Sequence, residues 1–355
     1  MKPLMKVKPP GPRARRVIAE DRRFISPSLT RAYELVVDKV KGNWVWDIDG
    51  NRYLDLAAFV AVSNVGSKNP AVARAIKKQI EKGFHPAFSD YYAELPVRFC
   101  KELLSHLPAG FDKVFLSNSG TESVEAAYKI VKWHKRKKYV VAFKGCFHGR
   151  TMGALSMTCS KRVHREGFGP FLPVIHSPYA YCYRCEFGLH YPSCGMACID
   201  ELEKKIRGKS VAGVFVEPVE GEGGYIVPPA EFHKEVKRVC QENELILVDD
   251  EVQAGCYRTG KFLAIQNFKV KPDVVCLSKA IGGGLPLGAT VTSTSLMRWP
   301  SGTHANTMGG NLLACAAGIA SLREMRRKKL GENARKQGRH LLKRLKSMYE
   351  EHEII

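Results

Sequence analysis

Leu245-Ile246-Leu247-Val248-Asp249-Asp250, and Val274-Val275-Cys276-Leu277-Ser278-Lys279 further along, decide how this chain reads. Each is a short apolar run, too brief for a helix, that ends in a charged residue; the second then breaks into Gly282-Gly283-Gly284. Such runs are the mark of strands buried on both faces. Working outward, Lys113–Leu116, Tyr139–Phe143, Val211–Val216 and Ala289–Thr292 repeat the pattern, and helical spacing over Thr121–Lys135 and Ala230–Glu242 separates them. Strands alternating with helices predict an α/β fold, a mostly parallel sheet flanked by helices. Catalytic groups then belong at the carboxyl ends of the strands, where Asp250 and Lys279 fall.

The rest of the chain fits around that body. Residues 1–40 read as a Pro/Arg-rich, irregular arm. Trp44–Ile48 and Arg52–Asp55 flank Asp49-Gly50, the turn signal of a β-hairpin. Residues 70–82 have helical spacing, and two helices, about 310–328 and 331–350, finish the chain. The expected organisation is an arm and hairpin over 1–55, a large domain over 56–308, and the start of a small C-terminal domain over 309–355. No apolar stretch approaches the roughly 18 residues of a membrane span, and no secretory signal follows the basic N-terminus. Eleven cysteines, an odd number in 355 residues, argue for a reducing, cytoplasmic setting rather than a disulfide framework. The formal charge of +21 raises nucleic acid as a partner. Its densest run, Arg323 to Lys346, holds 11 Lys/Arg against two Glu, with leucines at helical spacing and no interleaved aromatics. That is a solvated helix face, and it argues against nucleic acid.

An acid at one strand end and a lysine at another are the two protein groups that pyridoxal phosphate chemistry needs: an amine to hold the aldehyde and an acid to keep the ring nitrogen protonated. Other stretches can be read the same way. Ser117-Asn118-Ser119-Gly120-Thr121-Glu122 leaves a strand and opens a helix, which suits a phosphate on free amides as well as it suits an ordinary N-cap. Phe147 in Phe143–Thr151 can stack on a flat heterocycle, and Arg150 can clamp a carboxylate. Glu217, Glu220 and Glu222 lie in glycine-rich backbone after a strand, and Asp249-Asp250-Glu251 are three adjacent acids; a divalent cation is the rival reading of both. Lys279, beside glycines at a strand end, has no structural reason to be there, because structural lysines reach for the surface.

Together these stretches resemble the class III pyridoxal-phosphate aminotransferases of fold type I, whose familiar members act on acetylornithine, ornithine and 4-aminobutyrate. The matching motifs are Asp49-Gly50 with Tyr53-Leu54-Asp55, Ser119–Glu122, Phe147–Thr151, Glu217-Pro218 with Gly221–Gly224, Asp250–Gln253 with Arg258–Lys261, Lys279-Ala280 with Gly284–Pro286, and Thr307–Asn311. They run in the family's order from about residue 10 to the end. The resemblance implies that Lys279 forms the Schiff base and moves the proton, and that Asp250 pairs with the ring nitrogen. Gln253 would bond the ring oxygen, Phe147 and Val252 would sandwich the ring, and Ser119, Gly120 and Thr121 would bind the phosphate. His148 falls with these cofactor-binding residues. Thr307 would complete the phosphate site across the interface of a homodimer. Arg150, Glu217, Glu222 and Val60 would line the substrate side. The substrates would be a small amino donor, 4-aminobutyrate- or ornithine-like, and a 2-oxo acid acceptor such as 2-oxoglutarate. An aliphatic Val60 favours the 4-aminobutyrate type.

Two departures stand out. The family continues past Ile355 into a small domain carrying an arginine for the α-carboxylate. On these 355 residues the expectation is therefore a truncated small domain, and a Glu222 without that charge partner. Cys182, Cys185, Cys194 and Cys198 have the spacing C-x2-C-x8-C-x3-C, which a four-thiolate zinc site can use; reduced loop cysteines are the plainer reading. Two further functions stay open beside the transaminase: an amino-acid racemase on the same fold, and a cofactor-binding fragment without full catalysis.

Overall fold

The computed structural model describes residues 1–352. An N-terminal helix, α1 (Pro12–Phe24), precedes a small antiparallel sheet of β1 (Val37–Lys41), β2 (Trp44–Asp47) and β3 (Arg52–Leu54). Gly50 turns the β2–β3 hairpin with φ +87°, the left-handed conformation for which the Asp-Gly pair is suited. The arm is thus more ordered than its composition suggests: Pro12 starts α1 at a position where no amide is needed.

A single left-handed turn, α2 (Ala58–Ala61), and the helices α3 (Pro70–Ile80) and α4 (Glu94–Leu104) lead into the main sheet. Its strands are β4 (Lys113–Ser117), β5 (Tyr139–Phe143), β6 (Val174–Ser177), β7 (Val211–Val216), β8 (Ile246–Asp250), β9 (Val274–Leu277) and β10 (Gly288–Thr292). They lie in the order β4-β10-β9-β8-β7-β5-β6. All are parallel except β10, which runs antiparallel to both β4 and β9. The connecting helices are α5 (Gly120–Lys135), α6 (Met152–Met157), α7 (Ala197–Ile206) and α8 (Phe232–Glu242), followed by α9 (Leu312–Arg327) and α10 (Leu330–Glu351).

The strands are apolar throughout because both faces of the sheet are covered. In β8, Leu247 packs with Phe143, Val275 and Leu277 under α8. Its neighbours Ile246 and Val248 point the other way, to Ala142, Val274 and Cys276 under α5. That alternation is the strand's two-residue period, and it sends Asp249 and Asp250 to opposite faces. The chain returns after Lys279 through left-handed Gly283 and Gly284, and β10 slots between β4 and β9. The expected boundary at 309 is not where the packing divides. Cys315, Ile319, Leu322 and Met325 of α9 belong to the same core as the sheet, whereas α10 is largely exposed. An alanine-rich helix such as α9 can approach closely: a Cβ on Gly318 would stand 2.6 Å from the Phe99 ring.

Gly288, the first residue of β10, underlies the turn into α5. A Cβ there would lie 2.3 Å from Ser119 O and 2.4 Å from Ser117 Oγ. Gly288→Ala is expected to cost about 1–3 kcal/mol through overpacking. A melting temperature equal to that of the unmodified protein would refute this tight fit.

Candidate active site

Loops from five parallel strands meet at the carboxyl edge of the sheet. They enclose a cavity of about 280 Å³ lined by Gly120, Thr121, Phe147, Arg150, Glu217, Asp250, Val252, Gln253 and Lys279, with His148 and Gly149. Lys279 follows β9 in a left-handed conformation, φ +47°, which side chains rarely adopt and which the surrounding packing must enforce. Its Nζ donates to Gln253 Oε1 at 3.1 Å. Burial lowers the Lys279 pKa, Asp250 and Glu217 oppose that shift, and Arg258 adds to it. The amine is thereby moved toward the neutral form that a nucleophile or base requires.

Asp250 ends β8 with its carboxylate nearly out of solvent. Oδ2 lies 2.7 Å from His148 Nδ1, and Oδ1 accepts the Val252 amide at 3.1 Å. Burial alone would lower the His148 pKa; the hydrogen bond and charge of Asp250 outweigh it and raise the value. His148 is therefore a partner of the acid, one step behind the cavity's reacting groups. Sequence reading grouped it with the cofactor-binding residues without seeing this contact. Thr158 was missed altogether. Its hydroxyl accepts from the amides of His148 at 2.9 Å and Gly149 at 3.2 Å, and donates to Gly149 O at 2.9 Å. No local pattern marks it, because its partners lie about ten residues upstream.

The floor of the cavity is the start of α5. Ser119 is the N-cap, its hydroxyl accepting from Glu122 N at 3.3 Å, so it serves the ordinary capping role. The amides of Gly120 and Thr121 have no protein acceptor among the described residues. Gly120 is bare where a Cβ would meet Val252 at 2.7 Å, and a Cβ on left-handed Gly149 would meet Thr121 Oγ1 at 2.2 Å. Two free amides, a hydroxyl and a helix dipole in a cradle with no room for extra side chains suit a phosphate group. Phe147 and Val252 line the same cavity, Phe147 with its amide bonded to Glu217 Oε1 at 2.8 Å. The chain's residues thus fit pyridoxal phosphate: cradle, apolar walls, acid and lysine share one cavity.

Several expected residues stand elsewhere. Glu217 braces two loops, since its second oxygen accepts the Gly221 amide at 3.1 Å. Glu222 lies outside the cavity lining and is not without a charge partner: Lys161, which sequence reading did not single out, meets it at 2.5 Å. Arg150 lies over the Phe147 ring, 5.8 Å from its centroid. Val60, 59% exposed in the left-handed turn, does not reach the cavity of this one chain, and neither does exposed Thr307. The four spaced cysteines lie close enough to act on one another's titration, Cys182 feeling Cys194 and Cys185 and Cys198 feeling Cys182 and Cys194. No group of three or more His, Cys, Asp or Glu side chains with metal-binding geometry occurs among the described residues. Cys182 is exposed on a 3-10 turn, while burial pushes Cys198 at the start of α7 up to about 11. The cation reading of Asp249-Asp250-Glu251 fails for the same lack of convergence: alternation along β8 sends Asp249 and Asp250 to opposite faces.

Fold and cavity together define an α/β enzyme built around a lysine that can hold pyridoxal phosphate. The family model for class-III aminotransferases matches residues 25–355, and the chain belongs to that family. It is 36% identical to a leucine/methionine racemase of Thermococcus litoralis, over 94% of this chain and 76% of that one. It is 40% identical to an acetylornithine aminotransferase of Methanopyrus kandleri, over 84% of this chain and 72% of that one. An amine transaminase from an uncultivated Pseudomonas species, solved in its pyridoxal-phosphate-bound form, superposes with a TM-score of 0.87 at 28% identity, over 94% of this chain and 81% of that one. Pyridoxal phosphate is the cofactor. Among the described residues no helix is long and apolar enough to cross a membrane.

At and behind this edge lie carboxyls that burial holds above their ordinary values. Burial, then the charges of Glu217 and Cys159, push Glu220 up to about 9, and neither of its oxygens has a hydrogen-bond partner. Burial raises Glu217 and Glu251 to about 7. Between the ordinary value of 4.5 and these raised values the native state binds more protons than the unfolded chain, so stability falls as pH rises through that window. Glu220→Gln, which mimics the protonated form, is expected to flatten the fall in melting temperature between about pH 5 and about pH 9. An unchanged slope in the variant would mean that Glu220 ionises normally.

Proposed function

We propose that this protein transfers the amino group of an ω- or α-amino acid, 4-aminobutyrate- or ornithine-like, to a 2-oxo acid such as 2-oxoglutarate. The observation that carries the reading is the buried Lys279 amine, shifted toward neutrality, in one cavity with the Asp250–His148 pair. Pyridoxal phosphate, when bound, supplies a ring that takes up the electrons left on the substrate carbon when its proton is removed.

The chain's own residues do the rest. The free amides of Gly120 and Thr121 and the dipole of α5 bind the phosphate. Asp250 would hold a proton on the ring nitrogen, with His148 Nδ1 2.7 Å from its carboxylate keeping that group aimed. Phe147 and Val252 exclude water from the two ring faces. Lys279 Nζ, shifted toward its neutral form, would remove the proton from the substrate carbon and return a proton to the neighbouring position, with Gln253 orienting that amine. Arg150, at the cavity wall, supplies a cation for a substrate carboxylate. Thr307 would reach the phosphate of a partner subunit in a homodimer.

A racemase is the second reading, favoured by the 36% identity to a leucine/methionine racemase. It needs the proton returned to the same carbon from the opposite side, and nothing in the residue set forbids that.

Purified protein given pyridoxal phosphate, 2-oxoglutarate and each of 4-aminobutyrate, ornithine and alanine is expected to form glutamate with at least one donor. Lys279→Ala should lower that rate by roughly 10²–10⁴-fold and remove the visible absorbance of lysine-held cofactor. D-amino acid formed from a single L-amino acid without any oxo acid would favour the racemase. No glutamate from any donor would sink the transaminase reading.

A further inference from the structure

Two cysteines that the proposed reaction does not use flank the ring-binding loop. Cys146 directly precedes Phe147 and His148, and Cys159 directly follows Thr158, whose hydroxyl ties that loop in place. The two are joined through the backbone, Cys159 N donating to Cys146 O at 3.0 Å. That bond sets the two residues side by side, as a disulfide between them requires. The thiols are near enough for each to shift the other's titration. Each also sits against a backbone carbonyl, Cys146 Sγ 3.0 Å from Met157 O and Cys159 Sγ 3.1 Å from Phe143 O. Cys146 is buried, and Cys159 keeps partial access to solvent.

We propose that Cys146 and Cys159 form an oxidisable dithiol that a hydroperoxide converts to a disulfide, loosening the grip of the ring-binding loop on the cofactor. The geometry gives each sulfur a role. Cys159 is the one a small oxidant reaches. Contact with Cys146, and then with His176, moves its thiol toward the reactive thiolate in spite of burial, while burial holds Cys146 as a thiol. Cys159 sulfur attacks the peroxide, the O–O bond breaks, and a sulfenic acid and one water form from hydrogen peroxide. Cys146 sulfur then attacks the sulfenic sulfur, the S–O bond breaks, and a second water leaves. Two thiols are oxidised to a disulfide and one peroxide is reduced to two waters. Bond formation draws the sulfurs from contact distance to about 2.05 Å, and the displaced Cys146 carries Phe147 and His148 with it.

Reduced holoenzyme treated with hydrogen peroxide, alkylated and digested with trypsin tests this. Arg150 is the only tryptic site between the two cysteines, so peptides containing Cys146 and Cys159 separate unless the disulfide joins them. The expected result is the joined pair, together with a visible cofactor band that weakens or shifts and returns with dithiothreitol. Cys159→Ser should lose both changes. Peptides in which Cys146 and Cys159 stay alkylated while exposed Cys182 oxidises would overturn the proposal, as would a crosslink that leaves the cofactor band unchanged. Neither readout needs turnover, so failure here is separate from failure of the transaminase reading.

Discussion

A carboxylate removed from water keeps its charge only if something compensates for it, and the rest of this molecule is arranged around one such case. Asp250 is nearly solvent-free, and around it stand acids that burial drives toward neutrality. Asp250 has His148 at 2.7 Å, and the same imidazole only partly offsets the burial of Glu217. Asp250 is thus the acid held in place by a partner, while burial raises the carboxyls around it. The His148 ring can serve only because Thr158 holds its amide and Glu217 holds that of Phe147. The loop that carries the ring stack and the one that carries the acid's partner are the same few residues.

The lysine depends on the same edge. β9 delivers it beside β8, and left-handed backbone at Lys279 and at Gly283 turns the chain back at once. A continuation as helix would carry the amine away from Gln253. The strained residue thus has a structural cause in the tight return and a chemical use in the cavity.

Much of this was legible in sequence. The apolar runs around Asp250 and Lys279 gave the parallel sheet, because strands covered on both faces have no polar alternation to obscure them. The Asp-Gly hairpin and α5 were equally plain. What was missed had a weaker local signal. β6 is four residues with a histidine inside, α4 carries Pro96 in its first turn, and α1 begins amid prolines and arginines. In the site, motif residues that touch through the cavity were found, whereas Thr158 and Lys161 were not. Their meaning lies in single long-range contacts that no periodicity encodes.

The antiparallel return of β10 has a further consequence. It pairs with the strand that delivers the lysine on one side and with the strand that opens the phosphate cradle on the other. The two ends of the cofactor site are thus rungs of one ladder, spaced by backbone hydrogen bonds and not by side chains. Side-chain exchange can retune which amine or acid enters, but it cannot lengthen the site. The distance from the lysine to the helix start is thus set by the sheet.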